Sequence, residues 1–254
     1  MSPFLFITDL DGTLVGDSVA LAHLNHCLAQ HRDRYGTILV YSTGRSPTLY
    51  NQLTREVALL EPDVRVLAVG TEIYVGKSAT PEPAWVEHLN QGWDRHQVAA
   101  IAARYPELTP QPASEQLPHK LSYYVEPRVG DRLLPVLQAA FQQAGLAVQV
   151  VYSSGVDLDL LPHHGNKGAA VQFLQRMFQM PPERTVVCGD SGNDRAMYDH
   201  AEAKGIIVGN AKPELITWHH HHPSSDRFLA DRPCAGGILQ GLHHFGFLDP
   251  NLND

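Results

Sequence analysis

Short apolar runs alternate with stretches of helical spacing over the N-terminal part of the chain. The runs at 4–10, 37–41 and 64–69 predict buried strands, each closed by polar residues or glycine. Between them, the apolar positions of 19–30 and 49–60 recur at the spacing of helices that bury one face. Strands that alternate with helices form βαβ units, so this part of the chain predicts a parallel sheet.

The pattern changes at about residue 80, where prolines begin to punctuate shorter helical and extended pieces. Strands are predicted here at 121–125 and 146–151, with an amphipathic helix at 133–143 between them. The alternation then returns after Pro162. The elements predicted there are a helix at 167–178, a strand at 185–188, a helix near 194–202 and a strand at 205–208.

Because the first architecture resumes, the middle of the chain is interpreted as an insertion. We predict an α/β fold with a Rossmann-like parallel-sheet core and a smaller, inserted α+β cap domain. The core takes residues 1–79 and 162–254, and the cap takes residues 80–161. The total of 254 residues is enough for one large domain or two modest ones.

Composition excludes several classes of function. The formal net charge of −8 argues against general nucleic-acid binding, which needs a basic surface. The three cysteines are widely separated and form neither a disulfide framework nor a metal signature, which is typical of a reducing cytosol. The N-terminal apolar run is too short for a secretory signal, and no later run approaches the roughly 20 residues of a membrane span. We therefore expect a soluble, cytoplasmic protein.

Four polar clusters lie at the ends of predicted strands or at the start of a predicted helix. They are DLDGT at 9–13, STGR at 42–45, NKG at 166–168 and GDSGND at 189–194. Open parallel sheets bind ligands beyond the carboxyl ends of their strands, so these clusters are candidates for one site. Taken singly, each can also be an ordinary turn or a solvated surface group, because acidic pairs and an exposed lysine at a helix start are common on surfaces.

The residue types in these clusters suit phosphate chemistry. Asp9 and Asp11 could share a divalent cation, and the glycine-rich acidic segment around Asp190 offers the oxygen ligands that Mg²⁺ prefers. Thr43 can donate a hydroxyl hydrogen bond, and Lys167 can place a positive charge beside a phosphoryl oxygen.

In their order along the chain, the four clusters resemble the four motifs of the haloacid dehalogenase superfamily. The resemblance implies that Asp9 is the nucleophile, that Asp11 is the general acid and base, and that Thr43 and Lys167 bind the phosphoryl group. It also implies Mg²⁺ as cofactor. The metal ligands would be Asp9, Asp11 and Asp190, and the supporting residues would be Ser191, Asn193 and Asp194. Asp194 would hold Lys167 or support the metal.

The spacing of the motifs locates the cap. The segment between Asp11 and Thr43 has room for only one helix with its connections, whereas the far longer segment between Thr43 and Lys167 holds the insertion. In the superfamily this is the position of a C2-type cap, which implies that residues of about 80–161 determine substrate specificity.

A closer resemblance is to sucrose-6-phosphate phosphatases. It depends on VGD at 15–17, AVGTEIY at 68–74, HKLSY at 119–123 and SSGVDLDLLP at 153–162. Single positions differ, since Gly12 and Thr71 can be Asn and Ser in that family. The resemblance implies hydrolysis of sucrose 6-phosphate to sucrose and phosphate through an aspartyl-phosphate intermediate.

Recognition of a disaccharide needs polar side chains that match its hydroxyls. The residues expected to bind substrate are Gly44, Arg45, Glu72, Gln116, Lys120, Ser122 and Asn166. Asp157 and Asp159 alternate with apolar residues and are interpreted as the polar face of a cap strand. Trp85 and Trp93 are interpreted as core residues of the cap.

Alternatives stay open in two classes. Within enzymes, the chain could instead hydrolyse trehalose 6-phosphate, mannosylglycerate phosphate or simple hexose phosphates, or act as a phosphomannomutase. In the other class, a non-catalytic phosphoacceptor or binding module also uses a strand-end Asp, a Thr and a Lys, but such chains are shorter and lack a cap. We expect a monomer whose partner is a small-molecule sugar phosphate. Neither nucleic acid nor a membrane is expected as a partner, and an association with sucrose-phosphate synthase is left open.

The four histidines at 219–222 form a run of one residue type that belongs to none of these motifs. Because an apolar periodic stretch follows them, we interpret them as a solvated loop with adventitious metal affinity rather than as an appended tag.

Overall fold

The computed structural model describes residues 2–153, 155–199 and 201–249. Residues 1, 200 and 250–254 of the predicted core and residue 154 of the predicted cap lie outside that description. The strands are β1 (Leu5–Thr8), β2 (Ile38–Ser42), β3 (Val64–Leu67), β4 (Glu72–Val75), β5 (Thr109–Pro110), β6 (Leu121–Tyr124), β7 (Val148–Ser153), β8 (Asp157–Pro162), β9 (Thr185–Gly189), β10 (Lys204–Ile207) and β11 (Arg227–Leu229). The helices are α1 (Ser18–Tyr35), α2 (Pro47–Glu56), α3 (Pro83–Asn90), α4 (Arg95–Ala102), α5 (Pro127–Gln143), α6 (Lys167–Met177), α7 (Arg195–Asp199), α8 (Pro213–His221) and α9 (Cys234–His244).

The main sheet has the strand order β11-β10-β9-β1-β2-β3-β4, and every pair is parallel except β3 with β4. The predicted α/β fold with a parallel core is confirmed. Strand β4 was not predicted. It returns antiparallel to β3 through a tight turn in which Ala68 and Val69 adopt positive φ angles of 54° and 60°, a conformation that non-glycine residues seldom take.

Both faces of the main sheet are covered, which explains why its strands are continuous apolar runs. Successive residues of β1 point to opposite faces. Phe6 packs with α1 and α9 in one core cluster, whereas Ile7 packs with α6 in the other. All four residues of β1 are buried. This sandwich holds the carboxyl end of β1 rigidly in the middle of the molecule.

The cap is a four-stranded antiparallel sheet of order β5-β6-β8-β7, covered on one face by α4 and α5. Helix α3 falls inside the predicted cap range, yet Trp85 and Leu89 are fully buried in a core cluster of the main sheet. The indole of Trp85 also donates a hydrogen bond to Gly70 O at 3.1 Å. Trp85 is thus a core residue of the main unit, and Trp93 packs against the cap core.

Several element boundaries differ from the pattern-based ones for local reasons. Helix α2 was predicted at 49–60 but begins at Pro47, because the Ser46 hydroxyl accepts the Leu49 amide as an N-cap. The loop predicted for the histidines at 219–222 was wrong, since the first three of them lie in the last turn of α8. In the part of the chain that the structure describes, no helix has both the length and the apolar character needed to cross a bilayer.

Candidate active site

Three of the four motifs meet because their strands are neighbours in the sheet. Strand β1 lies between β2 and β9, and the Asp9 amide donates to Cys188 O at 2.9 Å just beyond the last residue of β1. The carboxyl ends of these strands therefore bring together Asp9, Thr43 and Asp190, as the sequence predicted.

Lys167 comes from the fourth motif, at the first turn of α6. Asn166 caps this helix through its side-chain oxygen, which accepts the Ala169 amide at 2.9 Å. The Lys167 side chain is fully buried, and its Nζ donates to Asp9 Oδ1 at 2.7 Å and to Asp194 Oδ1 at 2.6 Å. Burial lowers the pKa of Lys167, but the two carboxylates outweigh that effect and leave the pKa raised. The ammonium is therefore a permanent positive charge beside Asp9.

Asp194 uses both of its carboxylate oxygens within the protein. One accepts from Lys167, and the other accepts the backbone amides of Asp190 and Ser191 at 2.9 and 3.0 Å. Of the two roles predicted for Asp194, these contacts match the orientation of Lys167.

A group of three buried carboxylates marks the candidate metal centre. Oxygens of Asp9, Asp190 and Asp194 lie within 4.8 Å of one another. Burial raises the pKa of Asp9 well above its ordinary value, and burial together with Asp194 raises the pKa of Asp190 to about 6. Such crowding of acids destabilises their charged forms unless a cation is present. Because Asp194 is already saturated, Asp9 and Asp190 are the residues best able to hold a hard divalent ion.

Asn193 and Thr13 complete the surroundings of this centre. The Thr13 hydroxyl donates to Asp190 Oδ1 at 3.0 Å and thereby orients that carboxylate. The side-chain oxygen of Asn193 is buried and has no hydrogen-bond partner among the described residues. An unpaired buried acceptor beside two carboxylates fits a site that takes an ion with its water ligands.

Asp11 lies apart from the three-carboxylate group. Its side chain is 52% exposed and forms a bidentate ion pair with Arg45, with both N···O distances at 2.7 Å. The structure therefore does not bring the Asp11 carboxylate into the predicted metal group, although the residue borders the same cavity.

The residues of STGR that were predicted to bind substrate, Thr43, Gly44 and Arg45, line the core side of the cavity. Thr43 is buried, its amide donates to Val66 O at 2.9 Å, and its hydroxyl oxygen accepts the Arg45 amide at 3.2 Å. No described residue takes the hydroxyl hydrogen of Thr43, which leaves it as a donor toward the cavity. Gly44 and Arg45 line the same space.

The cavity has a volume of about 620 Å³ and is bounded by both domains. This volume is in the range of small-molecule sites. The core contributes residues of DLDGT, STGR and GDSGND together with Leu49, Val69 and Lys212, and the cap contributes Gln111, Pro112, Ser114, Glu115, Lys120, Tyr124, Ser153, Asp157 and Asp159. Lys167 of the NKG motif does not line the cavity but bonds to Asp9, which does.

The cap side of the cavity is built around Lys120. Its ammonium is almost completely buried and lies 3.5 Å from Asp159 Oδ1 and 3.8 Å from Glu115 Oε2. Ser122 donates to the same Asp159 oxygen at 2.6 Å. Asp157 accepts the Gln111 amide at 2.9 Å, and burial raises its pKa. Lys120 was predicted for this site, but the three acidic residues around it were missed.

Asp157 and Asp159 were not predicted to line the cavity for the same reason. Asp157 and Asp159 were assigned to the polar face of a strand, which is correct, but that face looks into the cavity. The pairing of Ser122 with Asp159 across β6 and β8 is what places them there. The pairing register of a strand is not visible in the sequence of that strand alone.

Four residues predicted to bind substrate do not line the cavity. The carboxylate of Glu72 accepts the Tyr74 hydroxyl at 2.8 Å, and burial raises the pKa of Glu72. The Gln116 side chain braces the cap through backbone groups of Gln111 and Ser122. Ser122 is bonded to Asp159, and Asn166 caps α6 and donates to Gln149 Oε1 at 2.7 Å. The side chains of these residues are bonded to other protein groups and do not face the cavity.

The chain is similar to known sugar-phosphate phosphatases over almost its whole length. The family model described as sucrose-6F-phosphate phosphohydrolase matches residues 2–246. A probable sucrose-phosphatase 2 of Arabidopsis thaliana is 40% identical over 98% of this chain and 61% of its own length. The mannosylfructose-phosphate phosphatase of Agrobacterium fabrum is 35% identical over 95% of this chain and 96% of its own length.

Among solved structures, the sucrose-phosphatase of Synechocystis sp. PCC6803 in complex with sucrose and phosphate is similar with a TM-score of 0.89. The two chains are 41% identical, and the match covers 97% of this chain and 99% of that one. The present chain spans about 60% of the length of the plant sucrose-phosphatases that it matches.

Proposed function

This chain belongs to the sucrose-6F-phosphate phosphohydrolase family, and from that membership we propose that it is a Mg²⁺-dependent phosphatase that hydrolyses sucrose 6-phosphate to sucrose and phosphate. The observation that carries the proposal is Asp9, which lines a cavity bounded on its other side by polar cap residues and accepts a hydrogen bond from the buried Lys167 at 2.7 Å. A carboxylate nucleophile held beside a buried cation is suited to phosphoryl transfer.

In the proposed reaction, a carboxylate oxygen of Asp9 attacks phosphorus in line with the bond to the sugar oxygen. That P–O bond breaks, and the sugar oxygen takes a proton from Asp11. Lys167 and Thr43 stabilise the charge on the equatorial oxygens. Water then attacks the aspartyl phosphate, with Asp11 accepting its proton, and phosphate leaves. Mg²⁺ held by Asp9 and Asp190 would offset the repulsion between the anions.

The charges of the cap favour a neutral leaving group. Glu115, Asp157 and Asp159 face the cavity against one cap lysine, Lys120. Carboxylates accept hydrogen bonds from sugar hydroxyls but repel a leaving group that carries its own carboxylate. This balance supports a neutral disaccharide and disfavours mannosylglycerate phosphate.

A second candidate substrate is mannosylfructose phosphate, since the Agrobacterium relative named for it matches nearly end to end. The monomeric state, the cytoplasmic location and an association with sucrose-phosphate synthase stay predictions.

The test is phosphate release by purified protein with Mg²⁺ from four substrates: sucrose 6-phosphate, mannosylfructose 6-phosphate, trehalose 6-phosphate and glucose 6-phosphate. We expect kcat/KM for sucrose 6-phosphate to exceed that for glucose 6-phosphate by about 100-fold or more, because a site with matched polar groups rejects a partner that leaves them unpaired. Equal turnover of all four sugars would rule out the sucrose assignment.

A further inference from the structure

The loop that carries Asp11 is held from outside by a residue of a distant segment. Asn210 follows β10, and its Nδ2–H donates to Gly12 O at 2.7 Å. Its side-chain oxygen accepts the Cys234 amide at 2.8 Å. Both ends of the amide therefore have partners of the right kind, which fixes its orientation.

The carbonyl to which Asn210 donates belongs to a glycine in the left-handed backbone region. Gly12 has a φ of +76°, and a Cβ at this position would lie 2.7 Å from Asp190 Oδ2. Glycine has more backbone freedom than other residues. A hydrogen bond from outside the loop therefore helps to fix the peptide between Gly12 and Thr13. The Cys234 thiol also contacts Gly12 O at 3.5 Å.

The restrained peptide connects two functional groups. Asp11 precedes Gly12, and Thr13, which follows it, donates to Asp190 Oδ1. Arg45 holds the Asp11 carboxylate from one side, and the backbone that carries Asp11 continues directly into Gly12. A rotation of the Gly12 peptide would displace both the proton donor and the residue that orients Asp190.

Asn210 is itself well supported. The Gly209 amide donates to Arg232 O at 2.8 Å, and the Lys212 amide donates to Asp190 O at 2.7 Å. A Cβ at Gly209 would lie 2.5 Å from Asp231 O. The loop after β10 is thus fixed to its neighbours on either side of Asn210.

We infer that Asn210 is a positioning residue for catalysis, acting through the Gly12 carbonyl on Asp11 and Thr13. The inference rests on the proposed phosphatase function, although it does not depend on which sugar is the substrate.

Two variants and a matched control test this inference with p-nitrophenyl phosphate and Mg²⁺. Asn210→Asp keeps the acceptor for the Cys234 amide and removes the donor to Gly12, and Asn210→Ala removes both. The control is Asn25→Ala, which deletes another amide-to-carbonyl bond, to Ala58 O at 3.0 Å, on α1. We expect kcat to fall about 10- to 100-fold in both Asn210 variants and to stay within about two-fold in the control. In Asn210→Ala, KM should change less than about three-fold.

A second readout needs no activity and no metal. The amides of Thr13, Leu14 and Val15 all bond to Leu10 O, and their hydrogen exchange in the metal-free protein should accelerate in Asn210→Ala but not in Asn25→Ala. If the wild-type protein releases no phosphate from sucrose 6-phosphate either, the proposed function fails, and this exchange still decides whether Asn210 restrains the loop. Unchanged exchange overturns the inference. So does wild-type kcat in Asn210→Asp, or an equal loss of kcat in the control.

Discussion

The acidic residues of the site have different properties because their partners differ. Asp194 has both oxygens bonded and serves Lys167, whereas Asp9 shares that lysine and keeps one oxygen toward the cavity side. Asp190 is oriented by Thr13. Asp11 is paired with Arg45 near solvent.

Replacing Asp194 tests its assignment as the support of Lys167. In Asp194→Asn the amide nitrogen must face either the Lys167 ammonium or two backbone amides, and in each case a donor meets a donor. Breaking a buried ion pair on one side costs about 3–5 kcal/mol, so we expect the free energy of unfolding in urea to fall by about that amount.

The matched control is Asp199→Asn, which removes the surface pair between Asp199 and Arg195. Here we expect a loss of about 0.5 kcal/mol or less, because exposed pairs contribute little. Equal losses in the two variants would contradict the assignment of Asp194.

At this scale the sequence was informative where a motif fixed both the residue type and its place at a strand end. Asp9, Thr43, Lys167 and Asp190 meet as predicted. Glu72 was predicted to bind substrate because it is a polar residue near a strand edge, but its carboxylate accepts the Tyr74 hydroxyl and it is buried outside the lining of the cavity. Side-chain partners contributed by distant segments cannot be derived from local spacing.

At the scale of elements, the first turn of α2 connects the core to the cap. The Ser46 hydroxyl, which caps α2, donates to Glu115 Oε1 at 2.8 Å, and both side chains are buried. Ser46 directly follows the STGR motif, and Glu115 neighbours Lys120. This hydrogen bond therefore connects the cap side of the cavity to its core side.

Removing this bond should loosen cap closure. In Glu115→Ala we expect a larger radius of gyration by small-angle scattering and a KM for sucrose 6-phosphate raised about ten-fold, since a buried hydrogen bond to a charged group contributes about 1.5–3 kcal/mol. Glu115→Gln keeps an acceptor for Ser46 and should retain the compact shape. If the two variants scatter identically, the bond plays no part in closure.

Helix α1 contains a buried histidine that makes stability depend on pH. His31 bonds through Nδ1 to the Thr37 hydroxyl at 2.6 Å and packs against Phe4. Burial lowers the pKa of His31 below its ordinary 6.5. The unfolded chain therefore takes up the proton first, and the contribution of this residue, complete above pH 6.5, is lost as the pH falls below it.

On going from pH 7 to pH 5, we expect His31→Gln to gain stability relative to the wild-type protein, because only the wild type loses the contribution of this histidine. The raised pKa values of Asp9 and Asp190 act in the opposite sense but are common to both proteins. Urea titrations across that range, with the exposed His96→Gln as control, measure the two slopes. A slope that His31→Gln leaves unchanged would show that other groups dominate this range.

At the scale of the whole molecule, the order of motifs and the alternation of strands and helices predicted the parallel core and its inserted cap. The alternation is visible because each buried strand is a continuous apolar run. The assignment of α3 could not be predicted in the same way, because proline-rich composition marks a change of pattern and not which sheet a helix covers. Trp85 settles that question only through its contacts across the chain.

The central claim, that Asp9 takes the phosphoryl group of sucrose 6-phosphate, is tested most directly by mass spectrometry of Asp11→Asn mixed with that sugar and Mg²⁺. Without its acid and base, the variant should hydrolyse the intermediate slowly and retain one phosphoryl group on the peptide that contains Asp9. A phosphoryl group on any residue other than Asp9 would contradict the account.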